Sequence, residues 1–271
     1  MTASYVDIAV DCSVPGVLVA TLNRPDRRNA LTDEMFDDLA RLQSEVEAAS
    51  DVRAVIITGE GRGFCAGLDL DIAATLPGLS VEEFLLAQER WSAALVGFSA
   101  LSVPVICAIN GPAAGAGFAL ALACDIRVAS VSAKFNAAFV RVGLSAGDCG
   151  ASWFLPRIVG LGRATEIMLT GRFVDSAEAL AIGLVSDVVA DGAVLDRALA
   201  TAAAISANSP FSMRMSKQVI VANSAASSLG AAVALENRTQ VLASRTEDMR
   251  EALTAFREKR APEFSGRGAR A

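Results

Sequence analysis

Between Trp91 and Cys124 the chain runs for 34 residues without a charged side chain. A stretch of that length either crosses a bilayer or lies inside a protein core. Pro104, Asn110, Gly111, Pro112, Gly115 and Gly117 interrupt it. Breakers at that density would strand backbone polar groups in lipid, so the run reads as strand, glycine-rich turn and buried helix. With 271 residues, 53% of them apolar, the chain can build a core large enough to enclose it. No membrane span is expected.

The flanking sequence agrees. Val17–Leu22 reads as a buried strand ended by Asn23-Arg24-Pro25-Asp26. Thr32 offers an N-cap, with Asp33 and Glu34 in the first turn and Met35, Phe36, Leu39, Leu42 and Val46 at helical spacing. Ala54–Thr58 is a second strand. Ser80 and Glu83 form a capping box for a helix reaching about Phe98. Pro104–Ile109 is a third strand, followed by a turn to Gly117, a small-residue helix Phe118–Ala123 and a strand Asp125–Ala129. Beyond residue 150 the pattern is mainly helical. Ser176 caps one helix, Ser209 with Pro210 opens another, and the last spans about Thr246–Arg260, with Met249, Leu253 and Phe256 on one side. Strands alternating with helices, then helices alone, define an α/β chain with an α-helical C-terminal part.

Composition narrows the chemistry. The chain has no histidine, which removes Ser-His-Asp and Cys-His nucleophilic sites and imidazole proton shuttles. Acid–base work falls to Asp, Glu, Lys, Cys or Tyr5. A net charge of −6 with 6% aromatics argues against nucleic acid as a partner. Cys12, Cys65, Cys107, Cys124 and Cys149 form no C-x-x-C, so buried free thiols and a cytoplasmic location are expected; no metal site is. Met1–Asp7 shows no basic stretch leading into an apolar run, so no secretory signal is read there.

Two loops share one design. Phe64-Cys65-Ala66-Gly67-Leu68-Asp69-Leu70 and Asn110-Gly111-Pro112-Ala113-Ala114-Gly115-Ala116-Gly117 each join an apolar strand to a helix through small residues. Such bends let backbone approach a ligand, and two amides aimed at one point stabilise an oxyanion. They also suit tight strand–helix packing. The dinucleotide fingerprint is incomplete, because Leu120 stands where its third glycine would be, and no Walker triplet exists.

Together with Leu22-Asn23-Arg24-Pro25-Asp26-Arg27-Arg28-Asn29-Ala30-Leu31, Cys124-Asp125-Ile126, Val142-Gly143-Leu144 and Phe256-Arg257-Glu258-Lys259-Arg260, these loops resemble the enoyl-CoA hydratase/isomerase, or crotonase, superfamily over almost the whole chain. The resemblance implies a ββα spiral core, residues 1–200, carrying an acyl-CoA site, and a C-terminal helical trimerisation region, residues 201–271. It implies an acyl-CoA thioester as partner, no cofactor beyond the CoA of the substrate, and a homotrimer or homohexamer. The matching oxyanion-hole amides are Leu68 and Ala116; Ala116 replaces the usual middle glycine and serves if its φ is negative. Backbone around Arg28, Ala30, Ala66 and Leu70 would line the CoA channel, and Lys259 would meet its phosphates, from a neighbouring subunit if need be; a solvated surface charge is the other reading of Arg28 and Lys259.

The two glutamates of the family's hydratases correspond to Ala119 and Phe139. The acids left between Trp91 and Thr165 are Asp125, which suits a structural role, and Asp148. Asp148 sits near the loop where several isomerases of the superfamily place an aspartate; capping a helix Cys149–Leu155 is its alternative role. An apolar wall of Phe139, Trp153 and Phe154 would raise its pKa. The expected mechanism is enolate stabilisation by Leu68 and Ala116 with proton transfer by Asp148, giving isomerisation or atypical hydration. Glu82, Glu83 and Glu89 are in reserve, on a helix that can overhang the acyl pocket in this fold. A non-catalytic acyl-CoA binder is the alternative, and a hydrolase using Ser145 or Cys149 ranks last.

Overall fold

The computed structural model describes residues 5–266, so Met1–Ser4 of the N-terminal stretch lie outside the described residues. Strands β1 (Ile8–Asp11), β2 (Val17–Leu22), β3 (Ala54–Gly59), β4 (Val105–Ile109), β6 (Ile126–Ser130) and β9 (Asp187–Val189) form one sheet in that order. Short strands β5 (Ala113–Ala114), β7 (Lys134–Asn136) and β8 (Phe173–Asp175) form a second. Within the large sheet β1 runs antiparallel to β2, and every other pairing is parallel, with Val19 opposite Ile56, Ile57 opposite Cys107 and Cys107 opposite Arg127.

The continuous apolar runs follow from burial on both faces. Alternate residues point to opposite sides. Leu18, Ala20, Val55, Ile57 and Cys107 face a core shared with α1 (Asp33–Ala48), α3 (Val81–Ala100) and α4 (Ala116–Ala123). Val17, Val19, Ile56, Ile106 and Val128 face Val194, Ala198 and Ala202 of α8 (Val194–Ser206). A division at residue 200 thus falls inside a helix that covers the sheet. The charge-free run becomes the end of α3, β4, β5 and α4, whose eight residues are all buried. Among the described residues no helix is long and apolar enough to cross a membrane.

The remaining helices are α2 (Leu70–Ala73), α5 (Ala151–Val159), α6 (Leu161–Thr170), α7 (Ser176–Ala181), α9 (Pro210–Asn223), α10 (Leu229–Ala243) and α11 (Glu247–Glu258). Thr32 caps α1 through the Met35 amide, and Ser209 caps α9 with Pro210 behind it. Ser176 does not cap α7. β8 extends to Asp175, whose carboxylate takes the Glu178 amide, while the Ser176 hydroxyl donates to the Val131 carbonyl at 2.7 Å. Lys217 fastens α9 to the core: its buried ammonium lies 2.7 Å from Asp125 and 2.9 Å from the Val103 carbonyl. Burial raises the Asp125 carboxyl above its ordinary value against the opposing pull of Lys217 and the Val105 amide. Asp125 is structural, as expected.

Candidate active site

The two glycine loops meet because β3 and β4 are parallel neighbours and both loops leave their C-terminal ends. Asn29 fixes the first loop from below. It is fully buried in the left-handed conformation, and its amide donates to the carbonyls of Glu60, Gly63 and Phe64 at 3.0, 2.9 and 3.2 Å. The Ala66 amide donates to the Arg28 carbonyl, and the Ala114 amide to the Cys65 carbonyl. At Gly117 the loops touch: a Cβ there would lie 2.6 Å from Cys65 Cβ and 2.7 Å from its Sγ. At Gly67, where φ is +92°, a Cβ would come within 2.8 Å of the Ala114 oxygen and 3.3 Å of the Ala116 nitrogen. The residues flanking both expected amides are therefore in van der Waals contact.

Among the described residues neither amide is given to a backbone acceptor. The Leu31 amide donates to the Gly67 carbonyl and the Asp69 amide to the Leu31 carbonyl, so Leu68, between them, turns its own N–H away from Leu31. Ala116 is the first residue of α4, which begins two residues before the expected Phe118, and a first-turn N–H has no acceptor within its helix. Gly115 takes the positive φ of this turn, and Ala116 is not among the positive-φ residues, so a Cβ is tolerated there. Asp69, buried beside Leu68, accepts from the Asp71 amide and from Arg24 at 2.9 Å. Burial raises its pKa, but the Asp71 amide and the Arg24 guanidinium together hold it below the usual carboxylate range.

These loops open into a cavity of about 270 Å³. Larger hollows of about 690 and 630 Å³ lie elsewhere, beside Arg53 and between α9, α10 and α11. Opposite the loops, α3 supplies Phe84, Gln88 and Trp91, at spacings of four and three residues on one face. Trp91 stacks on Phe36 with centroids 5.5 Å apart, takes the edge of Phe84 at 6.4 Å, and donates its indole N–H to Asp33 at 2.8 Å. Asp148 completes the wall, its carboxylate accepting from the Gln88 amide. No other carboxylate lines this cavity among the described residues.

Asp148 is not a helix cap. α5 begins at Ala151 behind Gly150, because Cys149 (φ 47°) and Gly150 (φ 80°) form a left-handed turn that separates Asp148 from the helix. A non-glycine residue in that region costs about 1–3 kcal/mol, strain of the kind that gathers at functional sites. Trp153 and Phe154 do not join the wall: Trp153 is half exposed under Arg157, and Phe154 packs beside Gly150. Glu82, Glu83 and Glu89 are exposed, and Glu83 is spent on the capping box, where the Ser80 hydroxyl and amide hold its pKa below the ordinary value.

The cavity brings together Leu68, Ala116, Ala66, Leu70, Phe139 and Asp148. Arg28 and Ala30 stand outside its lining, Arg28 with an exposed side chain and Ala30 buried with its carbonyl on Arg24. Lys259 ends α11 in the left-handed conformation, exposed and outside the cavity of its own chain. Ala119 is buried in α4. The Cys149 thiol is pushed up to about 12 by burial and by the adjacent Asp148, so it stays protonated and is a poor nucleophile. The Ser145 hydroxyl accepts the Gly147 amide. Tyr5 lies under Arg41, away from the cavity. Gln88, Phe84 and Trp91 went unread in the sequence, although their spacing after the capping box marks one helical face.

A family model for enoyl-CoA hydratase/isomerase matches residues 14–267. The chain is 41% identical over 254 residues to the 1,2-epoxyphenylacetyl-CoA isomerase of Escherichia coli K12, spanning 93% of this chain and 96% of that protein. Among solved structures, the enoyl-CoA hydratase of Bacillus anthracis has a TM-score of 0.91 at 34% identity, covering 96% of this chain and 100% of its own. That of Mycobacterium smegmatis has a TM-score of 0.89 at 31% identity, covering 95% and 98%. The chain belongs to the enoyl-CoA hydratase/isomerase family and is an enzyme of it.

Proposed function

We propose that the enzyme shifts the double bond of an enoyl-CoA thioester, with the Leu68 and Ala116 amides holding the thioester oxygen and Asp148 carrying the proton. The single observation behind this reading is that one carboxylate, Asp148, shares a cavity with both amides. In a 3-enoyl-CoA the Asp148 carboxylate takes the proton from the α-carbon, and the electron pair of that C–H bond enters a dienolate whose negative oxygen lies between the two amides. The same proton then goes to the γ-carbon as the double bond forms between α- and β-carbons. Hydration needs a base for water and an acid for carbon, work that paired glutamates divide and a lone carboxylate does not.

The acyl pocket is walled by Phe36, Phe84, Trp91 and Phe139, which suits a compact, ring-bearing acyl group of the kind named for the Escherichia coli relative. CoA enters as part of the substrate. An acidic chain whose thiols are free, four of them buried, fits the cytoplasm. Asp148→Asn should lower turnover of 3-enoyl-CoA about a thousandfold, the scale of general acid–base catalysis, without changing thioester affinity. Full activity in that variant removes Asp148 from the mechanism, and thioester binding with no turnover of 2- or 3-enoyl-CoA by the wild type makes the protein a binder.

The spiral through α8 carries the acyl-CoA site, and α9–α11 offer the face of a homotrimer or homohexamer. Ile220, Leu229 and Phe256 are 70%, 80% and 84% exposed there, an apolar surface that a lone chain leaves in water. Sedimentation equilibrium should return three or six chains; a monomer overturns the assembly.

A further inference from the structure

We infer that Gln88 is a positioning residue for Asp148: its side-chain amide fixes the carboxylate opposite the two backbone amides and favours its ionised form. The inference rests on Asp148 as the proton carrier. The capping box sets where α3 begins, and Phe84 and Trp91, one turn to either side of Gln88, lock the inner face into the aromatic cluster. Gln88 therefore has little freedom to turn away. Its Nε2 donates to Asp148 Oδ1, with Ser92 Oγ at 3.3 Å and Cys149 Sγ at 3.9 Å.

An N–H aimed at a carboxylate stabilises the charged form, against the apolar surroundings that favour the neutral one. The other charges near this wall face solvent: Glu82, Glu83, Glu89 and Arg90 on α3, Arg141 before the Asp148 loop, and Arg157 on α5 are exposed. Asp71 on α2 is exposed and paired with Arg27. Cys149 stays a neutral thiol. The neutral Cys149 thiol also hydrogen-bonds Asp148, but it rides on the same turn as the carboxylate. Gln88 is the donor that reaches Asp148 from the opposite element, α3, and so ties its orientation to that helix.

Aspartate labelled with ¹³C at its carboxyl reads the effect without turnover, the Asp148→Asn variant assigning the resonance. In Gln88→Met, which keeps the volume and removes the donor, the Asp148 resonance should titrate at higher pH than in wild type. The acid limb of kcat for a 3-enoyl-CoA should move by the same amount, with KM within about twofold, since a carboxylate base is lost as pH falls. Gln88→Glu, isosteric but like-charged, should move it further. Wild type and Gln88→Met titrating Asp148 at one pH, while Asp148→Asn is inactive, overturns the role of Gln88 alone. Full activity in Asp148→Asn overturns Asp148 as proton carrier, and the role of Gln88 with it.

Discussion

On the loop side of the cavity, Gly67 and Gly117 stand where a Cβ would meet the opposite loop at 2.4–2.8 Å, and Asn29 ties three carbonyls from beneath. On the α3 side, Asp148 is held by the Gln88 amide and a left-handed turn. The first wall is made of backbone and cannot be altered without moving a strand. The second is made of side chains and can change residue by residue. Oxyanion stabilisation needs donors fixed to a fraction of an ångström, and proton transfer needs a group of the right basicity. Under the proposed mechanism, each wall is built from the material its task requires.

The contrast breaks most easily at Asp148. Its replacement by Asn, with the thousandfold loss expected above, should leave the melting temperature within about 2 °C, because no core contact is lost. A large drop in melting temperature would mean that the two walls are not separable. Gly67→Ala should affect both properties: stability falls by about 3 kcal/mol from the forced φ and the Ala114 oxygen, and turnover about a hundredfold as the Leu68 amide shifts. Urea unfolding beside the isomerisation assay checks the pairing, and loss of one without the other would separate cradle geometry from catalysis.

The smallest effect is at Asp69. Its carboxyl is held below the usual range, so its contribution is fully present above the ordinary carboxylate pKa and lost as pH falls through the folded value. Asp69→Asn should cost about 1 kcal/mol at pH 7, and the difference from wild type should shrink toward pH 3. A difference independent of pH would show that the Arg24 link is not ionic.

The backbone wall was legible in the sequence because its requirements are local. Gly67, Gly115 and Gly117 announce close approach or positive φ, and apolar runs announce strands buried on both faces. The side-chain wall was legible in part. Asp148 followed from counting acids, but its cap role, Trp153 and Phe154 as neighbours, and the three glutamates in reserve did not survive. Those depended on which way the segment from Gly147 to Ala151 turns, and a left-handed Cys149 carries no mark in the sequence. Gln88 was missed because its partner lies 60 residues away. Ser176 was read as a cap because hydroxyl and carboxylate cap equally well, and the register of β8 chooses between them.

The eight buried residues of α4 carry no polar side chain, yet the first of them, Ala116, lines the cavity. Mutation acts on side chains, so the Ala116 amide is nearly out of its reach: drift can neither abolish it cheaply nor retune it. New reactions in such a chain arise more readily among the cavity's side chains, on α3, on residues 138–149 and at Phe36 and Leu70, where one codon changes what the cavity offers to carbon. The fold thus separates an inherited half of its chemistry from a half open to selection.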